Sequence, residues 1–144
     1  MPVYVRSPRG GRTESEQRDL RLVLAEKATG AAELNTHRKR VEAGFGVARR
    51  GGYAVHEGDE SRFALHVSGD TARALKLALA NWQLQRENRD ARALLEAAVA
   101  MNDPQAAQPV LDWMRSHDIV DHRLAPLTPQ CSPARRARHG GRAA

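Results

Sequence analysis

The 144-residue sequence predicts an all-α protein made of antiparallel helical hairpins stacked as a short α-solenoid. Apolar residues recur at helical spacing through most of the chain. The composition favours helix: 41% of residues are hydrophobic, only 4% are aromatic, and Ala, Leu and Arg dominate. Gly or Asn followed by Asp punctuates the periodic stretches, the order expected where one helix stops and the next is capped. A β-sandwich would need more β-branched and aromatic material.

Residues 1–12 read as a flexible basic arm. Thr13-Glu14-Ser15-Glu16 fits a capping box, with the hydroxyl accepting from an orphan N–H and Glu16 reaching back. Leu20, Val23, Leu24 and Ala28 follow, so a first helix is expected over 14–29, stopped by Gly30. A second, over 32–49, places Leu34, Val41, Phe45 and Ala48 on one stripe. Gly44 and Gly46 weaken it by roughly 1 kcal/mol each relative to Ala, and Gly51-Gly52 ends it. A third, over 54–68, carries Val55, Phe63, Ala64 and Val67, is interrupted by Gly58 and stops at Gly69.

Asp70 is a good N-cap for a fourth helix over 71–86, with Ala74, Leu75, Ala78, Leu79 and Trp82 inward. Asp90 is expected to cap a fifth over 91–101, burying Leu94, Leu95, Ala98 and Met101. Asn102 suits a left-handed stop, and Asp103-Pro104 then gives cap and first-turn proline. The sixth helix, 104–116, buries Ala107, Val110, Leu111 and Met114, while Pro109 should bend it or confine its hydrogen bonding to the second half. Ile119, Val120, Leu124 and Leu127 fit one more short turn. Residues 128–144, rich in Pro, Arg, Gly and Ala, read as a disordered tail, with Cys131 an incidental thiol inside it. The helical domain is therefore expected over 13–127.

The turns Gly69-Asp70 and Asn102-Asp103 are 33 residues apart, close to the period of about 34 seen in tetratricopeptide units. The segment Arg62-Phe63-Ala64-Leu65, Gly69-Asp70, Ala74-Leu75-Lys76-Leu77-Ala78, Asn81-Trp82, Gln85-Arg86-Glu87, Asp90-Ala91-Arg92 and Leu94-Leu95-Glu96-Ala97-Ala98 resembles the C-terminal repeats of bacterial tetratricopeptide-repeat proteins. The resemblance covers about residues 13–125 and is strongest over 60–115. It matches Ala74 and Ala107 to the small residue early in the second helix of each unit. The large aromatic of each first helix and the proline closing each unit are missing. The resemblance implies a scaffold that holds a protein or peptide along a groove lined by the first helix of each pair. Arg62, His66, Arg92 and Glu96 are the polar positions it puts there.

The formal charge of +6 belongs to the ends: residues 22–130 carry 14 basic and 14 acidic side chains. Nucleic-acid association through the Arg-rich termini is the alternative function. The one basic patch outside the ends is Arg38, Lys39 and Arg40 with Arg49 and Arg50, expected to be a solvated helix face whose later members suit a helix C-terminus. Glu57, Asp59 and Glu60 suit a helix N-terminus for the same electrostatic reason.

No histidine pair has the i, i+4 spacing of two ligands on a helix face, and the lone Cys131 is far from them, so neither metal nor other cofactor is expected. No nucleophile motif, phosphate loop or dinucleotide fingerprint occurs, so no catalytic residue is assigned. No stretch reaches the roughly 20 apolar residues of a membrane span, and no secretory apolar core begins the chain, which leaves a cytoplasmic location. Trp82 completes an apolar stripe and is expected in the core. Leu22 lies off the stripe of the first helix, which fits self-association or a chain cut from a larger repeat array.

Overall fold

The computed structural model describes residues 14–51 and 57–131; among these there are seven helices and no strand. The basic arm 1–12, Thr13 of the capping box, Val55 and residues 132–144 lie outside the described residues. The chain divides into two compact units, Met1–His56 and Glu57–Ala144.

In the first unit, α1 (Glu14–Thr29) and α2 (Leu34–Arg50) pack as a hairpin. Gly30 turns the chain at φ 69, and the Ala31 N–H returns to the Glu26 carbonyl at 3.1 Å, satisfying one of the acceptors that a helix end leaves open. Leu20 and Val23 of α1 and Val41 and Phe45 of α2 are buried in this hairpin. Ala28, expected inward, is exposed. Leu24, one turn before it, is already only half-buried, so the stripe has rotated off the interface by the last turn.

In the second unit, α3 (Glu57–Phe63) runs on through one π-helical turn, Ala64–Ser68, followed by α4 (Thr71–Leu84), α5 (Asn88–Ala100), α6 (Pro104–Ser116) and the short α7 (Thr128–Cys131). Helix α3 packs on α4 and α5, α4 on α5, α5 on α6, and α7 on α5 and α6. The two interhelical stops are chemically alike. Gly69 (φ 70) and Asn102 (φ 52) are left-handed, and each is followed by a capping aspartate. Asp70 accepts from the Arg73 N–H at 3.0 Å; Asp103 accepts from the N–H groups of Gln105 and Ala106 at 3.1 Å. The Asp103 N–H closes on the Ala98 carbonyl, five residues back, at 2.9 Å. The Asp70 N–H closes on Ala64, six residues back, because the π turn makes that stop one residue wider.

Alanines line this interior. Ala74, Ala78, Ala91, Ala97, Ala98 and Ala107 are buried among Trp82, Leu94, Leu95, Val110 and Leu124. Small side chains let helices approach, and one large ring then fills the remaining volume. Trp82 stacks edge-to-face on the partly buried Trp113, with ring centroids 5.3 Å apart, and the Arg86 guanidinium lies over the Trp82 ring, 5.9 Å from its centroid. An aromatic pair of this geometry contributes about 0.5–1.5 kcal/mol beyond its buried area.

Three expectations need correction. Helix α5 starts at Asn88, not 91, so Asp90 is not the N-cap but a buried residue in the first turn. Met101 and Val120 are exposed, Met101 because it has become the C-cap and Val120 because it lies in the link after α6. Cys131 is not incidental: α7 seats it, 1% exposed, in the core, where its Sγ lies 4.0 Å from the Leu95 carbonyl it faces as a weak donor. Pro109 leaves α6 unbroken. It and Gln105, whose carbonyl loses its intrahelical donor, are both exposed, so water can replace the missing bond.

Candidate functional site

Arg62, His66, Arg92 and Glu96 meet at one point. Arg62 and His66 are one turn apart on α3 and its π turn; Arg92 and Glu96 are one turn apart on α5, which packs against it. Arg62 Nε donates to Glu96 Oε2 at 3.3 Å, His66 Nε2 shares the same oxygen at 2.8 Å, and Arg92 Nε donates to Oε1 at 2.7 Å. The Glu96 side chain is 10% exposed, whereas those of His66 and Arg92 are 40% and 38% exposed. The carboxylate is thus the floor of the cluster, and His66 and Arg92 are its rim.

Burial alone would raise the Glu96 pKa. The His66 hydrogen bond, the Arg62 charge and the Arg92 hydrogen bond outweigh it and hold the carboxyl at about 2, against an ordinary 4.5. Glu96 is therefore a fixed negative charge near neutral pH, unsuited to carrying protons, on which Arg62, His66 and Arg92 converge.

A second polar cluster was not foreseen. Asn81 Nδ2 donates to Asp90 Oδ1 at 2.8 Å inside the protein, and Asp90 Oδ2 accepts the Glu87 N–H at 3.0 Å. Gly58 packs over this pair; a Cβ there would sit 3.0 Å from Asn81 Nδ2. Asn81 continues the Ala74/Ala78 spacing at i+7, so a polar residue on an apolar stripe was its sequence signal. Glu60 is buried and ion-paired to Arg73, and the Ser61 hydroxyl donates to the Ala74 carbonyl at 2.7 Å. Glu60 therefore does more than face a helix dipole. In the link after α6, Asp121 accepts from the Arg123 N–H at 2.8 Å and from Asn88 Nδ2 at 2.9 Å. The Arg123 backbone and side-chain hydrogen bonds lead in holding its carboxyl at about 2, against 3.8.

In the first unit, the buried Glu26 accepts from His37 Nδ1 at 2.7 Å, while its second oxygen is buried without a hydrogen-bond partner. Both lie in register with the apolar stripes, Glu26 three residues after Val23 and His37 four before Val41. Of the basic patch on α2, Arg38 pairs with Glu42 at 3.2 Å and Arg40 approaches Asp19 at 3.9 Å; Lys39, Arg49 and Arg50 are exposed.

Among the described residues no group of three or more His, Cys, Asp or Glu is placed to hold a metal ion, and no helix is long and apolar enough to cross a membrane. No family model, no curated protein and no solved structure matches the chain.

Proposed function

We propose that the protein is a non-catalytic interaction scaffold of the tetratricopeptide kind, whose second unit holds a protein or peptide partner along the face formed by α3 and α5. One observation carries this reading. The same stop, a left-handed residue followed by a capping aspartate, recurs 33 residues apart between α3 and α4 and between α5 and α6. The pairing of α3 with α4, α4 with α5, α5 with α6 and α3 with α5 is the neighbour pattern of two consecutive helical hairpins and supports the same reading. Ala74 and Ala107, fully buried at equivalent places in α4 and α6, fit helices that approach closely.

On this reading the partner meets Arg62, His66 and Arg92, and Glu96 acts beneath them as a positioning residue. One carboxylate against two guanidiniums and an imidazole leaves the rim positive, which favours an acidic partner segment. An array of immobilised peptides of varied charge, probed with the full chain, tests this. Retention of a subset enriched in Asp and Glu, lost in Arg92→Glu at unchanged melting temperature, is the expected result. A full chain that retains no peptide above background overturns the scaffold reading.

A further inference from the structure

The charge-neutral middle of the chain conceals a division between the units. Residues 57–130 carry eight Lys or Arg against eleven Asp or Glu, whereas residues 22–56 carry six against three. Several acids of the first unit are engaged within the hairpin: Glu26 is buried on His37, Asp19 lies beside Arg40, and Glu42 is held by Arg38.

Helix α2 carries Arg38, Lys39 and Arg40 near its start and the adjacent pair Arg49-Arg50 at its end, so that Arg38-Lys39 recurs in register as Arg49-Arg50. Eleven residues separate them, three turns within about 20°, so the pairs lie in phase about 16 Å apart along the axis. Lys39 and Arg50 face away from the buried Val41 and Phe45, whereas Arg38 and Arg49, one turn from Val41 and Phe45, flank the buried stripe. Between Lys39 and Arg50 lie the small residues Ala43 and Gly46; the Arg50 guanidinium folds across the latter, such that a Cβ there would meet Nη1 at 3.3 Å.

We propose that this face of α2 binds the phosphate backbone of double-stranded DNA without sequence preference. Lys39 and Arg50, in phase on the outward face, can each neutralise a phosphate, and the small Ala43 between them lets the backbone come close. Phe45 is buried beneath α2, so the helix offers no aromatic platform for unpaired bases, which favours duplex over single strand. The wide major groove of B-form DNA accommodates a helix, whereas that of A-form RNA is deep and narrow.

Fluorescence anisotropy of a labelled 20-base-pair DNA, titrated with the full chain across salt concentrations, provides the test. The wild type should bind at low salt. Lys39→Glu/Arg50→Glu should weaken binding at least about tenfold and flatten the log–log salt slope by about 2, close to one per lost phosphate contact. Arg135→Glu/Arg136→Glu removes the same charge from the C-terminal end and should weaken it less. Circular dichroism checks each variant, and Lys39→Gln/Arg50→Gln replaces the reversal should that variant misfold. The proposal is overturned by absence of duplex binding at low salt, or by a loss in the α2 variant no larger than in the C-terminal one. Tighter binding to single-stranded DNA, duplex RNA or phosphatidylserine vesicles overturns it equally.

Discussion

Asn81 on α4 and Asp90 in the first turn of α5 share a buried 2.8 Å hydrogen bond, and Gly58 of α3 lies against both. Three helices therefore converge on one buried polar contact. Asp90→Ala leaves the Asn81 amide and the Glu87 N–H short of a partner, and a buried unsatisfied donor costs about 1–3 kcal/mol. Gly58→Ala pushes a methyl to 3.0 Å from Asn81 Nδ2 and 3.2 Å from Asp90 Oδ1. Overpacking of this kind costs about 1–3 kcal/mol. Urea unfolding of each variant and of the double variant should give a combined loss smaller than the sum, because both act on one bond. Full additivity would mean that Gly58 does not act through the pair.

The Glu96 cluster predicts an acid-sensitive stability. Its folded pKa, about 2, lies below the ordinary 4.5, so the stabilisation is fully present above about pH 4.5 and disappears as pH falls toward 2. The gap corresponds to about 3 kcal/mol at full weight, and solvent screening at this partly exposed rim reduces it to about 1–2 kcal/mol. Asp121, about 2 against 3.8, has the same sign and a window from about pH 4 downward. Glu96→Gln/Asp121→Asn should therefore be less stable than wild type at pH 6, and the two should converge near pH 2. Denaturant midpoints measured from pH 7 to 2 read this directly; parallel curves at all pH values would remove the ionic account.

Cys131 should be chemically silent until the protein opens. Burial pushes its thiol pKa above the ordinary 9.0, and α7 closes it into the core. The thiolate is the reactive form, so both effects slow attack. Modification by a maleimide at pH 7.5 should be at least about a hundredfold slower in buffer than in 6 M urea, given that access requires opening of the local structure. Equal rates would show that α7 is not docked on α5 and α6.

The helices were legible in the sequence, and most polar contacts between them were not. Periodicity located α1, α4 and α6 because Leu20/Val23, Ala74/Ala78/Trp82 and Ala107/Val110 repeat with the helix turn and are buried. Caps read from single residues fared less evenly. Asp70 and Asp103 cap as expected, but Asp90 is displaced by Glu87, since a carboxylate suits either the cap or the first turn and tertiary contact with Asn81 decides. Arg62, His66, Arg92 and Glu96 were chosen as polar positions on first helices of hairpins, and they lie together. Their mutual pairing depends on the contact of α3 with α5, which spacing along one chain does not encode. Cys131 stayed hidden because its helix is four residues long, too short for any periodic signal.

The repeated stops make the last prediction. Asp70 and Asp103 each accept backbone N–H groups at the head of a helix, and loss of such a cap costs about 1 kcal/mol. Being 33 residues apart in different turns, with no shared partner, their effects should add, so Asp70→Ala/Asp103→Ala should lose about 2 kcal/mol in urea unfolding. The stops themselves should respond asymmetrically. Gly69 at φ 70 has open space around a new Cβ, so Gly69→Ala suffers from the left-handed backbone alone, about 1 kcal/mol. Asn102→Gly, at φ 52, relieves the same strain and should be neutral or slightly stabilising. A cost for Asn102→Gly as large as that for Gly69→Ala would show that Asn102 is held by its side chain and not by its backbone angle, and that the two turns are alike in outline only.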